Sequence, residues 1–518
     1  MSKQSNVLNK RVKQISPVLL MMLLLVFDLL LEGVGQNNES QILAEIKHFW
    51  NPGWLEQDWF LSIENPYRYA FNVSFGWLSL FLSLPAVSIV SRLIAYSFLA
   101  VIFQKIAKKI NLSMYWLIPI LFLIIHRAQS LGAGEWVFGG IESKVIAYIF
   151  IFFGLIAFID NKWGLLAVFI GLACSFHVLV GGYAVLSFIP ALLILRKRFI
   201  IDKNKILLYL VLFVLCASVG FYTIVHNVLN SISVDNEAAS QLYLMRSAHH
   251  LLPPVWDWPF TGIKIGLCVL FLLYIVKKTE KKEWHYLGIF ALSSLWLFVF
   301  GLIVFFIGAE SILKYYLFRF PDTIVPIVTV LLFFAYLDNR IQWLKKTRIL
   351  NQRNIGYFLS IGVLIFTSLS FIDTIRESVK YNLAINEIGI EKEYIDIMHW
   401  VRNNTPQESK FLDFPMNEGF YLIAQRPVFV KYKHVPQGEK MIEEWYQRIK
   451  ACNGGNELQG VSFKVGEELR NNYYNLRYED IKNLSDTYNL DYYIGPADSD
   501  IAFEKKYSNT KYGVFKLE

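Results

Sequence analysis

Apolar runs long enough to cross a bilayer recur along this chain, and they constrain its fold more than any other feature. They fall near residues 15–34, 76–104, 113–126, 143–159, 163–179, 181–195, 206–227, 261–276, 286–307, 323–337 and 356–373. Hydrocarbon offers no water to backbone N–H and C=O groups, so each run must satisfy its hydrogen bonds within a helix. With 55% hydrophobic and only 18% charged residues in 518, the chain is too apolar for a soluble protein of this length. The expected fold class is an all-α polytopic membrane protein of about 11 transmembrane helices with a small extracytoplasmic C-terminal α/β domain. Several runs are shorter than the roughly 20 residues a perpendicular span needs, so their ends are soft. The run 76–104 is too long for one simple span, and Pro85 is expected to divide it into a short interfacial piece and a true span.

Orientation follows from Lys and Arg. With the N-terminus inside and spans alternating, the inside segments (1–14, 105–111, 160–162, 196–205, 277–284, 338–354) hold 22 basic residues. The outside loops (35–73, 127–142, 228–260, 308–322) hold 6, as the positive-inside rule requires. The first apolar run is longer than a signal-peptide core and no A-x-A site follows, so an uncleaved first helix is expected. The net charge of +8 lies in these short loops and does not point to nucleic acid. Cys174, Cys216 and Cys268 sit in apolar runs and Cys452 in a polar region, with no disulfide framework or CxxC pattern. The expected domains are a transmembrane domain, 1–373, carrying the first external loop 35–73, and an extracytoplasmic α/β domain, 374–518. In the latter, "EKEYIDIMHWVRNNTP" predicts a helix ending before Pro406, and "KFLDFP", "RPVFVKY" and "DYYIG" predict strands.

The first external loop is unusually long, and long loops are often functional. Ile42, Leu43, Ile46, Phe49 and Trp50 fall on one helical face, which predicts an amphipathic helix lying flat at the membrane interface. That packing role requires neither Glu39 nor Asp58. Each is either a helix-end or surface carboxylate or a general base for a hydroxyl group. Elsewhere on the outer side, Glu142 and Lys144 open a helix, as a cap with an interfacial lysine or as an acid and a cation over a cavity. Arg246, His249 and His250 lie together in "LMRSAHHLLPP", and Lys314 and Arg319 stand where positive-inside logic disfavours them. Such donors suit a phosphate or a lipid headgroup. At membrane depth, Asp28 and Arg92 are expected to form a salt bridge and His177 to be a satisfied core residue.

An acid soon after helix one, an amphipathic loop helix, and a further acid ("NNES…LEQDWF") resemble the GT-C superfamily of glycosyltransferases. This superfamily includes protein O-mannosyltransferases, lipid A aminoarabinose transferases and oligosaccharyltransferases. The mannosyltransferase Asp-Glu pair falls here on Asn38–Glu39. "HWVRNNTP" followed by "RPVFVKYKHVP" resembles the external domain of bacterial members. The resemblance implies an inverting membrane glycosyltransferase of the bacterial cytoplasmic membrane, working on the outer face. Its donor would be a polyprenyl-phosphate-linked sugar and its acceptor a hydroxyl group. Glu39, or failing that Asp58, would be the base, with Arg246, His249, His250 and Arg319 steadying the departing phosphate. A divalent metal through Glu39, Asp58 and a histidine is an option that the spacing does not demand. Two other classes stay open: a transporter or flippase of lipid-linked glycans, and a non-catalytic membrane assembly protein.

Overall fold

A computed structural model describes residues 16–36, 38–199, 202–230, 236–344 and 352–517. The basic stretch 1–14 and the basic residues at 345–351 lie outside the described residues. The chain divides into two compact units. One comprises Met1–Leu31, Ser91–Tyr222 and His249–Arg376; the other comprises Glu32–Val90, Thr223–Ala248 and Glu377–Glu518. The first external loop therefore packs with the polar tail, not with the helices that flank it in sequence.

Every apolar run coincides with a helix, but the count of eleven spans is not confirmed. Among the described residues six helices are long and apolar enough to cross a membrane: Leu84–Lys109, Val178–Arg198, Trp258–Lys278, Lys282–Phe306, Arg319–Arg340 and Phe358–Tyr381. The pair Lys203–Cys216 and Ser218–Leu229 bends by 61° and makes a seventh if taken as one broken span. Pro17–Leu31, Met114–Ala128, Ser143–Ile159 and Trp163–Phe176 are apolar but shorter. Pro85 falls in the first turn of Leu84–Lys109, where its missing N–H costs nothing, and the 3-10 turn Gly76–Leu80 precedes it. In this unit Asp28 and Arg92 pair at 2.7 Å with both side chains fully buried. His177 caps the helix Val178–Leu195 by accepting the N–H of Val180 at 3.2 Å. It is a cap residue as well as a buried one.

The second unit carries a four-stranded mixed sheet of β1 (Phe411–Leu412), β2 (Tyr492–Pro496), β3 (Glu504–Ser508) and β4 (Tyr512–Lys516), in the order β1-β2-β4-β3. β1 runs parallel to β2, and the other pairs are antiparallel. Trp445, Tyr473, Tyr493 and Phe515 centre its core. The helix Lys392–Asn404 ends two residues before Pro406, as expected. "RPVFVKY" does not form a strand. It makes one bridge, Phe411 to Val428, and Val428–Tyr432 are buried on both sides of the chain rather than on alternate ones. The loop helix also departs from expectation. It spans Asn38–Trp50, and Glu39–Ile46 are buried all the way round, so this is a packed helix rather than one floating at an interface. Gly35 enables its approach. It adopts φ +70°, and a Cβ there would lie 2.2 Å from the Leu422 side chain.

Candidate functional site

Each unit holds one cluster of buried ionisable groups. In the helical unit the loop 129–142 is wrapped around Asp322. That carboxylate accepts the N–H groups of Leu131, Gly132, Ala133 and Glu135 at 2.7–3.0 Å and the Ser130 hydroxyl at 2.6 Å. Successive N–H groups converging on one anion form a rigid nest. The nest fixes Glu135, which pairs with Arg319 and lies 3.7 Å from Lys144. Lys144 also pairs with Glu142 at 3.0 Å and sits 3.8 Å over the Trp136 ring. Glu142 takes the N-cap position of Ser143–Ile159, but its side chain makes no cap bond; it serves the lysine instead. His250 Nδ1 donates to the Ala133 carbonyl at 2.6 Å. Burial, then Arg319 and His249 nearby, hold His250 well below the usual histidine range, so its ring is neutral. His249 stacks 3.8 Å from His250, and Lys314 lies 5.7 Å over the Tyr315 ring.

In the mixed unit Glu39 opens the buried helix Asn38–Trp50 and accepts the Gly35 N–H at 2.7 Å. The next residue, Ser40, lines an open cleft whose other walls are Pro415–Tyr421, Lys431–His434 and Phe463. Arg246 borders the same cleft. Its Nε donates to the Tyr432 carbonyl at 2.8 Å, and its guanidinium lies 4.7 Å over Phe463. Lys431 pairs with Asp413, which also accepts the Tyr394 hydroxyl at 2.6 Å; Lys433 pairs with Glu418 at 3.1 Å. His434 stacks on Tyr421, with ring centres 5.3 Å apart. Burial is the main cause that holds His434 well below 6.5, reinforced by Lys431, Lys433, Arg68 and Arg246.

Asp58 has a different role. Its carboxylate is 1% exposed and accepts the Tyr421 hydroxyl (2.9 and 3.0 Å) and the N–H groups of Leu61 and Val428 (both 3.0 Å). Burial raises its proton affinity, and those hydrogen bonds oppose the rise. It fastens the first loop to the segment Tyr421–Val428. Among the described residues no three His, Cys, Asp or Glu side chains gather to hold a metal ion. Glu39, Asp58 and a histidine, the metal option left open by the sequence, form no such group among the described residues.

The sequence-derived candidates thus divide between the units. Glu39, Asp58 and Arg246 belong to one, and Glu142, Lys144, His249, His250, Lys314 and Arg319 to the other. Sequence reading missed Glu135, Asp322, Asp413, Lys431, Lys433 and His434. The alternation Lys431-Tyr432-Lys433-His434, read as one charged, ring-bearing run, was the available signal for three of them.

A family model described as a domain of unknown function (DUF6798) matches residues 392–452, which contain most of the cleft wall. No curated protein matches the sequence. Among solved structures the chain is similar to the archaeal oligosaccharyltransferase AglB from Archaeoglobus fulgidus, solved with an inhibitory peptide and a dolichol-phosphate. The identity is 9%, the match covers 92% of this chain and 69% of that one, and the TM-score is 0.46.

A pH dependence follows from His434. Unfolded, it titrates near 6.5; folded, it stays neutral to much lower pH. Below about 6.5 the unfolded chain binds a proton that the folded chain refuses, so stability falls by up to about 1.4 kcal/mol per pH unit. Thermal unfolding of the purified protein at pH 7.5 and 5.5 should show this loss, and His434→Phe should reduce it. An equal loss in the variant would assign it elsewhere.

Proposed function

We propose that this protein is a membrane glycosyltransferase. It moves a sugar from a polyprenyl-phosphate-linked donor to an acceptor hydroxyl on the extracytoplasmic face, with inversion at the anomeric carbon. The observation that carries this reading is the cluster in which buried Glu135, Glu142 and Lys144 meet Arg319 in the helical unit. Buried charges cost several kcal/mol each to desolvate and, at membrane depth, mark functional sites by default. Lys144 and Arg319 are held by Glu135 and Glu142, so a phosphate whose charge grows as the glycosidic bond breaks would take over cations that these carboxylates now share. Glu39 supplies the base. Its carboxylate, at the head of the helix Asn38–Trp50, would take the proton of the attacking hydroxyl.

The flippase reading calls for broken helices with charge at the break. The bent pair breaks at Cys216, Ala217 and Ser218, with no Asp, Glu, Lys, Arg or His among them.

Lipid that co-purifies with the protein tests the proposal. Mass spectrometry of the detergent-extracted protein should detect polyprenyl-phosphate lipid, at lower occupancy in Arg319→Ala. Bulk phospholipid alone, in wild type and variant alike, would contradict it.

A further inference from the structure

The cleft in the mixed unit differs chemically from a phosphate site, although it is rich in cations. Each lysine in its wall already faces a carboxylate: Lys431 meets Asp413 and Lys433 meets Glu418. Arg246 gives its Nε to the Tyr432 carbonyl and lays its guanidinium over Phe463. Little surplus positive charge is left to attract an anion. The cleft instead offers donors and acceptors side by side: an ammonium beside a carboxylate at 3.1 Å, the Asn417 amide and the Ser40 hydroxyl. His434 is 6% exposed and neutral, and its Nδ1 is sealed from solvent without a hydrogen-bond partner. A buried lone pair is cheaper to leave unpaired than a buried N–H, so the ring proton belongs on Nε2. Phe463, 44% exposed, provides an apolar ring face at the same cleft.

We propose that this cleft binds an uncharged, polyhydroxylated ring, a sugar unit of a glycan acceptor, with its apolar face on Phe463 and its hydroxyls on Lys433, Glu418 and His434. Vicinal hydroxyls both donate and accept, which a carboxylate–ammonium pair matches and a phosphate does not. The binding claim stands on the cleft alone; the role of that sugar as acceptor rests on the glycosyltransferase reading. Ser40 ties the two, because it lines the cleft one residue after Glu39.

Saturation-transfer NMR on the full-length detergent-solubilised protein tests the binding. The probes are methyl glucoside, methyl mannoside, methyl galactoside and N-acetylglucosamine, with inorganic pyrophosphate as the anionic arm. At least one sugar should show transfer to its ring protons. Phe463→Ala, a change at an exposed side chain, should weaken that binding about tenfold. No saccharide signal, or pyrophosphate bound in wild type and lost in Lys433→Met, would overturn the proposal. Sugar binding without any transfer activity would support the cleft assignment and sink the transferase reading. Transfer activity untouched by Phe463→Ala, with no saccharide signal, would sink only the cleft assignment.

Discussion

Glu39→Gln should lower turnover by about 10²–10⁴-fold, the usual contribution of a positioned general base. Lipid binding should be unchanged. Gln keeps an oxygen that can accept the Gly35 N–H at the head of Asn38–Trp50, so the helix start survives. What disappears is the capacity to take a proton from the attacking hydroxyl. The check is turnover per mole of protein, beside occupancy by a polyprenyl monophosphate measured by native mass spectrometry. An assembly protein would be indifferent to this change, and a purely structural carboxylate would affect folding instead.

Asp58→Ala should act on stability, not on chemistry. It strips the acceptor from three buried donors, the Tyr421 hydroxyl and the N–H groups of Leu61 and Val428. A buried donor left unpaired costs about 1–3 kcal/mol. Removing a desolvated carboxylate offsets part of that, leaving a loss of about 2–4 kcal/mol. Asp58→Asn should be intermediate, because its amide NH2 would meet a donor head-on. The loss should appear as a lower unfolding temperature and as proteolysis of the mixed unit, the fitting measures for a chain with two units. An Asp58→Ala protein that is equally stable yet inactive would return Asp58 to the chemistry.

What the sequence reveals depends on how local the cause is. Asp28 and Arg92 can be matched in advance because opposite charges in adjacent apolar helices have few alternatives to each other. The end of Lys392–Asn404 is legible from Pro406. Span number is less so, because Ser143–Ile159 and Trp163–Phe176 are apolar but short, and hydropathy alone does not say what such helices do. The β3–β4 hairpin gives no signal. Its first strand, Glu504–Ser508, is polar and exposed, and it is held by register against Tyr512–Lys516 rather than by its own pattern. Glu39 could be singled out because it opens an amphipathic helix soon after the first apolar run. The cleft could not, because Ser40, Glu418, Lys433 and Phe463 come from distant parts of the chain. The flat interfacial helix failed as an expectation, as did the strand at "RPVFVKY". The helix's apolar stripe was read correctly, but Glu39, Ser40, Gln41 and Glu45 are buried too, by tertiary contacts that no periodicity records.

The fate of a labelled sugar in proteoliposomes tests the central claim most directly. The protein is reconstituted with a polyprenyl-monophosphate-linked hexose and methyl glycosides as hydroxyl acceptors, and both the lipid and the sugar are followed. Wild type should release free polyprenyl phosphate, with the sugar transferred in inverted configuration, and Glu39→Gln should release almost none. Intact donor carried across the bilayer, at the same rate in both proteins, would contradict the account.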